Sequence, residues 1–193
     1  MNRVSSQITI QLLLLLAVAH AQGPLQNGTW NVSVWAAGAT GQEESSSWTQ
    51  AQVWTAGVFV GRVITDELGK NRWRGHLEYG FNLPVSVTSR PEVISGGGFE
   101  PIVLRWNFSR SAHLVPYIEL AGGGLFTASN LPRGNTSNFN FTIRGGGGVH
   151  IFSRPRRSWD IGVRYLHISN ANLGDENPQF NGLQITIGYH WFK

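Results

Sequence analysis

Trp159-Asp160-Ile161-Gly162-Val163-Arg164-Tyr165-Leu166-His167-Ile168-Ser169-Asn170, together with the return stretch Asn181 to Trp191, decides how this chain is read. Taken with period two, one face of the first stretch is Trp159, Ile161, Val163, Tyr165, His167 and Ser169, and the other begins Asp160, Gly162, Arg164. The return stretch sets Asn181, Leu183, Ile185, Ile187, Tyr189 and Trp191 against Gln184, Thr186, Gly188 and His190. Strict alternation predicts two strands, each with a greasy and a polar face. The unusual feature is that a potential base, His167, and a potential nucleophile, Ser169, continue the greasy face. If that face meets lipid, the pair stands at the edge of a bilayer and a lipid is the natural substrate.

Working back along the chain, the same pattern recurs. Thr29 to Gly38, Val53 to Ile64, Trp73 to Leu83, Ile102 to Phe108, Pro116 to Phe126 and Phe139 to Phe152 read as strands, which with the closing pair makes about eight. Apolar residues of 53–64 fall in both phases, so its faces stay unassigned. Gly69-Lys70-Asn71, Ser109 to His113 and Ser153 to Arg157 read as turns. Regular strands with turn signals between them predict an all-β meander. An even strand count and lipid-length alternation extend this to an eight-stranded antiparallel transmembrane β-barrel. Its connections are expected to alternate between long external ones (39–52, 84–101, 127–138, 170–181) and short ones (65–72, 109–114, 153–157). A soluble β-sandwich or lipocalin-like barrel is the rival fold. It gives no reason for so aromatic an apolar face or so many charges on the other.

The first residues read as a signal peptide over 1–21, with Arg3, the apolar run Leu12 to Ala17 and the small-x-small site Ala19-His20-Ala21. The barrel domain is then 22–193. An uncleaved anchor is the alternative, disfavoured because the apolar run is short for a span. No later apolar run approaches the ~20 residues of a membrane helix. The chain has no cysteine, which removes disulfides, thiol nucleophiles and cysteine metal sites. Charged residues make up only 13%, beside 24 glycines and eight tryptophans, a balance that suits a two-faced sheet with aromatic girdles. The net charge of +4 comes from dispersed arginines, so nucleic acid is not an expected partner and an anionic membrane surface is.

An eight-stranded barrel is filled by side chains rather than open as a pore. Arg74, His76, Glu78, Arg105, Glu119, Arg144, Asp160 and Arg164 are expected to point inward and pair. Trp73, Leu77, Trp106, Phe141, Ile161 and Ile185 are expected outward. Gly122 to Gly124 and Gly145 to Gly148 lack the Lys-Ser/Thr of a phosphate loop and are read as sites of close packing or curvature. The histidines show no ligand spacing, so no metal site is expected, and no cofactor either. The N-x-S/T sequons at Asn27, Asn31, Asn107, Asn135 and Asn140 are read as chance.

Tyr165-Leu166-His167-Ile168-Ser169-Asn170-Ala171-Asn172-Leu173, followed by Asn177-Pro178 and a closing alternating strand, resembles the outer-membrane lipid A 3-O-deacylases, also called acyloxyacyl hydrolase-type enzymes. The motif match covers roughly residues 159–193, and the rest agrees in architecture. The resemblance implies a bacterial outer-membrane esterase acting on lipid A of lipopolysaccharide. Ser169 takes the role of nucleophile and His167 that of its base. The third role, a carboxylate that orients the histidine, falls on Asn181, where a glutamate is expected. Asp175 or Glu176 is the alternative source of charge. A homodimer is the higher assembly considered. The reading from another class is a non-catalytic small barrel, structural or adhesive, that keeps the motif.

Chemistry sets its own conditions. A serine hydroxyl is a weak nucleophile until a base accepts its proton. Residues i and i+2 of a strand lie ~6.5–7 Å apart at Cα, so His167 and Ser169 meet only if their side chains lean together or the strand end bends. After such a bend the backbone amides near Asn170 and Asn172 are the expected oxyanion donors.

Overall fold

The computed structural model describes residues 24–42 and 51–193. The signal peptide expected over 1–21 and most of the first long connection lie outside the described residues. Eight antiparallel strands close on themselves: β1 (Trp30–Gly41), β2 (Gln52–Val63), β3 (Gly75–Arg90), β4 (Ile94–Phe108), β5 (Leu114–Thr127), β6 (Phe139–Arg154), β7 (Arg157–Ser169) and β8 (Phe180–Phe192). Each strand pairs with its sequence neighbours, and β1 pairs with β8 from Asn31↔Phe192 to Gly41↔Gly182. Closure leaves no sheet edge, as a strand wall in lipid requires. The lower end is the one that holds Pro24 and Lys193, where Trp30 N donates to Lys193 O at 2.7 Å.

Alternation sets the wall. On β7, Trp159, Ile161, Val163 and Tyr165 are exposed while Asp160, Gly162, Arg164 and Leu166 are buried. Ile185, at 62% exposure, and Phe141, at 42%, stand on the same outer surface. Aromatic residues gather at two heights of that surface. Near the lower end, Trp159, Tyr189 and Trp191 pack edge-on with centroids 4.8–4.9 Å apart. Near the upper end, Phe139 meets Phe126 in a tilted contact at 4.7 Å and Phe141 edge-on at 5.0 Å. Two aromatic belts around an apolar band are the surface a bilayer-spanning barrel presents.

The lumen is packed with paired charges. Arg105 Nε donates to Glu119 at 3.0 Å, and its guanidinium lies 4.8 Å from the Phe59 ring and 4.7 Å from Tyr117. Glu119 also faces Arg164 Nε at 2.8 Å. Glu100, which the sequence reading did not place, pairs with Arg144, and Arg144 lies over Trp35. Gly148 and Gly162 line this lumen because a Cβ there would sit 2.5 and 2.9 Å from the Tyr117 hydroxyl. Close packing is thus what these glycines allow. Apolar clusters cover both ends, Val53, Leu166, Ile168 and Phe180 among the upper group and Leu25, Val63, Val115, Phe152 and Phe192 below. That explains the inward apolar residues of β2: Val53 and Val63 belong to the two caps and Phe59 supports Arg105.

Two expectations are corrected. Arg74 is not inward: it follows a 3-10 turn at Asn71–Trp73, before β3 begins, and is exposed beside Glu67 at 3.2 Å. Its alternation with Trp73 reflects chance phase rather than a strand. The long connection expected over 84–101 is instead a hairpin in which β3 runs to Arg90 and β4 starts at Ile94. Pro84 and Pro101 obscured it. Pro101 sits in a register shift between Phe99 and Ile102, where a missing backbone N–H breaks no regular ladder pair.

Candidate active site

The outer face of β7 changes character where it leaves the apolar band. Beyond Tyr165 come His167 and Ser169, both half-buried and on the outside of the barrel. β8 returns in register, so that Asn181 is the direct cross-strand partner of His167. Phe141 holds the same position beside Ser169 from β6. Side chains bridge the i to i+2 gap: His167 Nε2 is 3.1 Å from Ser169 Oγ. On the ring's other side His167 Nδ1 is 2.7 Å from Asn181 Oδ1. An amide oxygen only accepts, so Nδ1 carries the proton and Nε2 presents its lone pair to the serine hydroxyl. Ser169, His167 and Asn181 form one line of hydrogen bonds across two strands, an arrangement able to draw the proton from a serine hydroxyl. Asn181 is on the outer phase yet only 3% exposed, with the His167 imidazole against it.

Asp175 and Glu176 are exposed in the connection that follows. Both imidazole nitrogens are already engaged by Asn181 and Ser169, so neither acid has a ring nitrogen left to hold.

Strand β7 ends in a tight turn. Leu173 N donates to Asn170 O at 3.0 Å, with Ala171 and Asn172 at φ 51° and 62°. Two successive positive φ values make a type I′ turn, a geometry that asparagine tolerates. Asn170, 1% exposed, is the hub: its Oδ1 accepts from Asn172 N at 2.9 Å and its Nδ2 donates to Glu176 O at 2.8 Å. Asn170 N donates to Asn177 Oδ1 at 3.0 Å. The amides of Asn170 and Asn172, expected as oxyanion donors, are therefore committed to the turn. Asn side chains captured them, which a strand-level reading did not anticipate. Asn177 was quoted only as part of the motif, and its role in fixing the residue after Ser169 emerges from the fold. Glu176 N to Asn135 O, at 2.9 Å, ties this turn to the connection over 128–138.

A family model described as lipid A 3-O-deacylase (PagL) matches residues 19–190. The chain belongs to the PagL lipid A 3-O-deacylase family. The match begins well before the 159–193 motif, covers β1 to β7 and ends within β8. Among solved structures, the outer membrane enzyme PagL is similar at 17% identity and TM-score 0.63, over 81% of this chain and 97% of that one. Neisserial surface protein A is similar at 16% identity and TM-score 0.63, over 86% of this chain and 99% of that one. The two agree equally well, so the shape establishes an outer-membrane type of eight-stranded barrel and the family model supplies the activity. No curated protein sequence matches this chain. As a PagL-family member the protein is an ester hydrolase of lipid A and an outer-membrane barrel.

Proposed function

We propose that this PagL-family barrel cleaves its lipid A ester by a serine mechanism on its outer wall, with Ser169 as nucleophile, His167 as base and Asn181 as the residue that positions the base. The observation that carries the reading is the line of hydrogen bonds from Asn181 Oδ1 through His167 to Ser169 Oγ, at 2.7 and 3.1 Å. In the first step the Ser169 hydroxyl proton passes to His167 Nε2 as Oγ bonds to the ester carbonyl carbon. Collapse of the tetrahedral species breaks the bond to the sugar oxygen, which takes the proton back from Nε2. Water then attacks the acyl-serine, giving its proton to Nε2; collapse breaks the bond to Ser169 Oγ, which takes that proton back as the fatty acid leaves.

The position of the pair supports the substrate. Ser169 lies beside Phe141 in the upper aromatic belt, and the apolar wall of Tyr165, Leu183 and Ile185 runs down from it. Such belts mark the headgroup level, which is where the ester bonds of an outer-leaflet lipid lie. An acyl chain stays in hydrocarbon while its carbonyl meets Oγ, so little of the substrate has to leave the membrane. The three side chains of the line all come from one chain, so the reading does not invoke the homodimer. Nor does it need a signal from Asp175 or Glu176.

Ser169→Ala tests the assignment. Lipid A from cells making the wild-type barrel is expected to lack one ester-linked acyl chain, and lipid A from cells making Ser169→Ala to keep it. Equal deacylation by both, with folded protein in each case, rules out Ser169 as nucleophile.

A further inference from the structure

At the opposite end from the ester site, three inward side chains of consecutive strands converge: His150 of β6, Asp160 of β7 and His190 of β8. Each is buried, and one nitrogen or oxygen from each lies within 4.8 Å of the others. Residues 10 and 30 positions apart show no ligand spacing along the chain and meet only through register, His150↔Asp160 and Ser158↔His190.

The hydrogen bonds around the cluster fix which atoms are left over. Glu78 accepts from Asn31 Nδ2 at 2.6 Å, so Asn31 Oδ1 faces the other way. That oxygen lies 2.9 Å from His190 Nδ1, which must then carry its proton and donate. His190 Nε2 therefore holds a lone pair, and it faces Asp160 Oδ2 at 3.9 Å. Asp160 Oδ1 is occupied, because Tyr117 accepts from Arg164 at 3.2 Å and donates to Asp160 at 2.6 Å. His150 Nδ1 meets Ser158 Oγ at 3.3 Å, while its Nε2 is buried with no hydrogen-bond partner. Two acceptor atoms and an unpartnered nitrogen thus surround one point. A single proton on His190 would satisfy only the first two.

We propose that His150, Asp160 and His190 form a binding site for a divalent transition-metal cation, with Zn(II) the simplest occupant. Two imidazole nitrogens and one carboxylate oxygen suit zinc and its neighbours rather than calcium or magnesium. Outer partners of the kind that orient metal-binding imidazoles are already in place, Asn31 on His190 and Ser158 on His150. Metal–nitrogen bonds of ~2.0–2.1 Å call for donors ~3.3 Å apart, so the side chains close by about 1.5 Å at most on binding. Gly188 leaves room for this, since a Cβ there would lie 3.3 Å from His190 Nε2. The ion would join β6, β7 and β8, and through Asn31 also β1, fastening the seam where the barrel closes. The lower apolar cap of Leu25, Val63, Phe152 and Phe192 covers the cluster, so loading accompanies folding. The site is independent of the ester chemistry.

The test refolds the full barrel into detergent with Zn(II) or with EDTA, removes free metal, and measures zinc in protein shown to be folded by heat-modifiable migration. Folded wild type is expected to retain close to ~1 zinc per chain and to melt higher than the EDTA-refolded form. His150→Gln and Asp160→Asn should lose that zinc, while His113→Gln, a change at an exposed histidine, should keep it. Folded wild type that retains no zinc, or retention untouched by both lumen variants, overturns the proposal. If the lumen variants fail to fold, Co(II)-refolded wild type decides: visible bands of a nitrogen-ligated, non-octahedral ion support the site, and their absence overturns it.

Discussion

At the scale of single residues, the question is what an asparagine does where a carboxylate is expected. With Oδ1 against His167 Nδ1, Asn181 selects the tautomer that leaves Nε2 free for Ser169. It cannot balance the imidazolium that forms when the serine proton arrives. Asn181→Ala should therefore lower kcat, by about tenfold at this water-bordered position, with little change in KM. Asn181→Glu should keep or raise kcat, since a carboxylate presents an oxygen either way round and adds the missing charge. A faster Asn181→Ala, measured on micellar lipid A, contradicts the positioning role. His167→Ala should cost ~10²–10⁴-fold, the span of a lost general base. Exposed imidazole in the assay medium should restore part of it only if the missing function is proton transfer.

At the scale of elements, the turn after β7 is what holds Ser169 at the end of its strand. Asn170→Ala removes both side-chain bonds of the hub and leaves the Asn172 amide and Glu176 carbonyl without those partners. Losing such part-buried hydrogen bonds costs about 0.5–1.5 kcal/mol each, spent locally on the turn rather than on the barrel. Hydrogen exchange should quicken over 170–177 and kcat should fall, while heat-modifiable migration stays. Unchanged exchange there contradicts the hub. This element also shows what the sequence could and could not tell. The strands were legible because one face had to be apolar and the other polar, and the register His167↔Asn181 followed from a shared phase. The hairpin at Arg90–Ile94 was not, since glycines and prolines that signal loops elsewhere here mark bulges and tight packing. The partners of the Asn170 and Asn172 amides were not legible for a related reason: asparagine side chains compete for backbone amides, and periodicity carries no trace of that competition.

At the scale of the whole molecule, a lumen of paired charges holds the wall that displays the site on its outer face. Glu119 serves both Arg105 and Arg164, so Glu119→Ala leaves Arg164 with no carboxylate partner and Arg105 with Glu78 alone, at 3.6 Å. A loss of about 3–5 kcal/mol is expected, the usual result of breaking a buried pair from one side. Urea unfolding in detergent reads it, and a variant as stable as wild type contradicts the lumen as described. The same fold, at equal TM-score, is found in a deacylase and in a surface protein, so architecture alone does not carry activity. Under the proposed mechanism, activity comes from the Ser169–His167–Asn181 line on the lipid side of one strand end. The most direct measurement is mass spectrometry of lipid A from one bacterial strain carrying no copy, the wild-type barrel or Ser169→Ala, with folded barrel confirmed in both outer membranes. The account predicts loss of the mass of one ester-linked acyl chain with the wild type alone. Lipid A that is unchanged by the wild type, or shortened equally by Ser169→Ala, contradicts it.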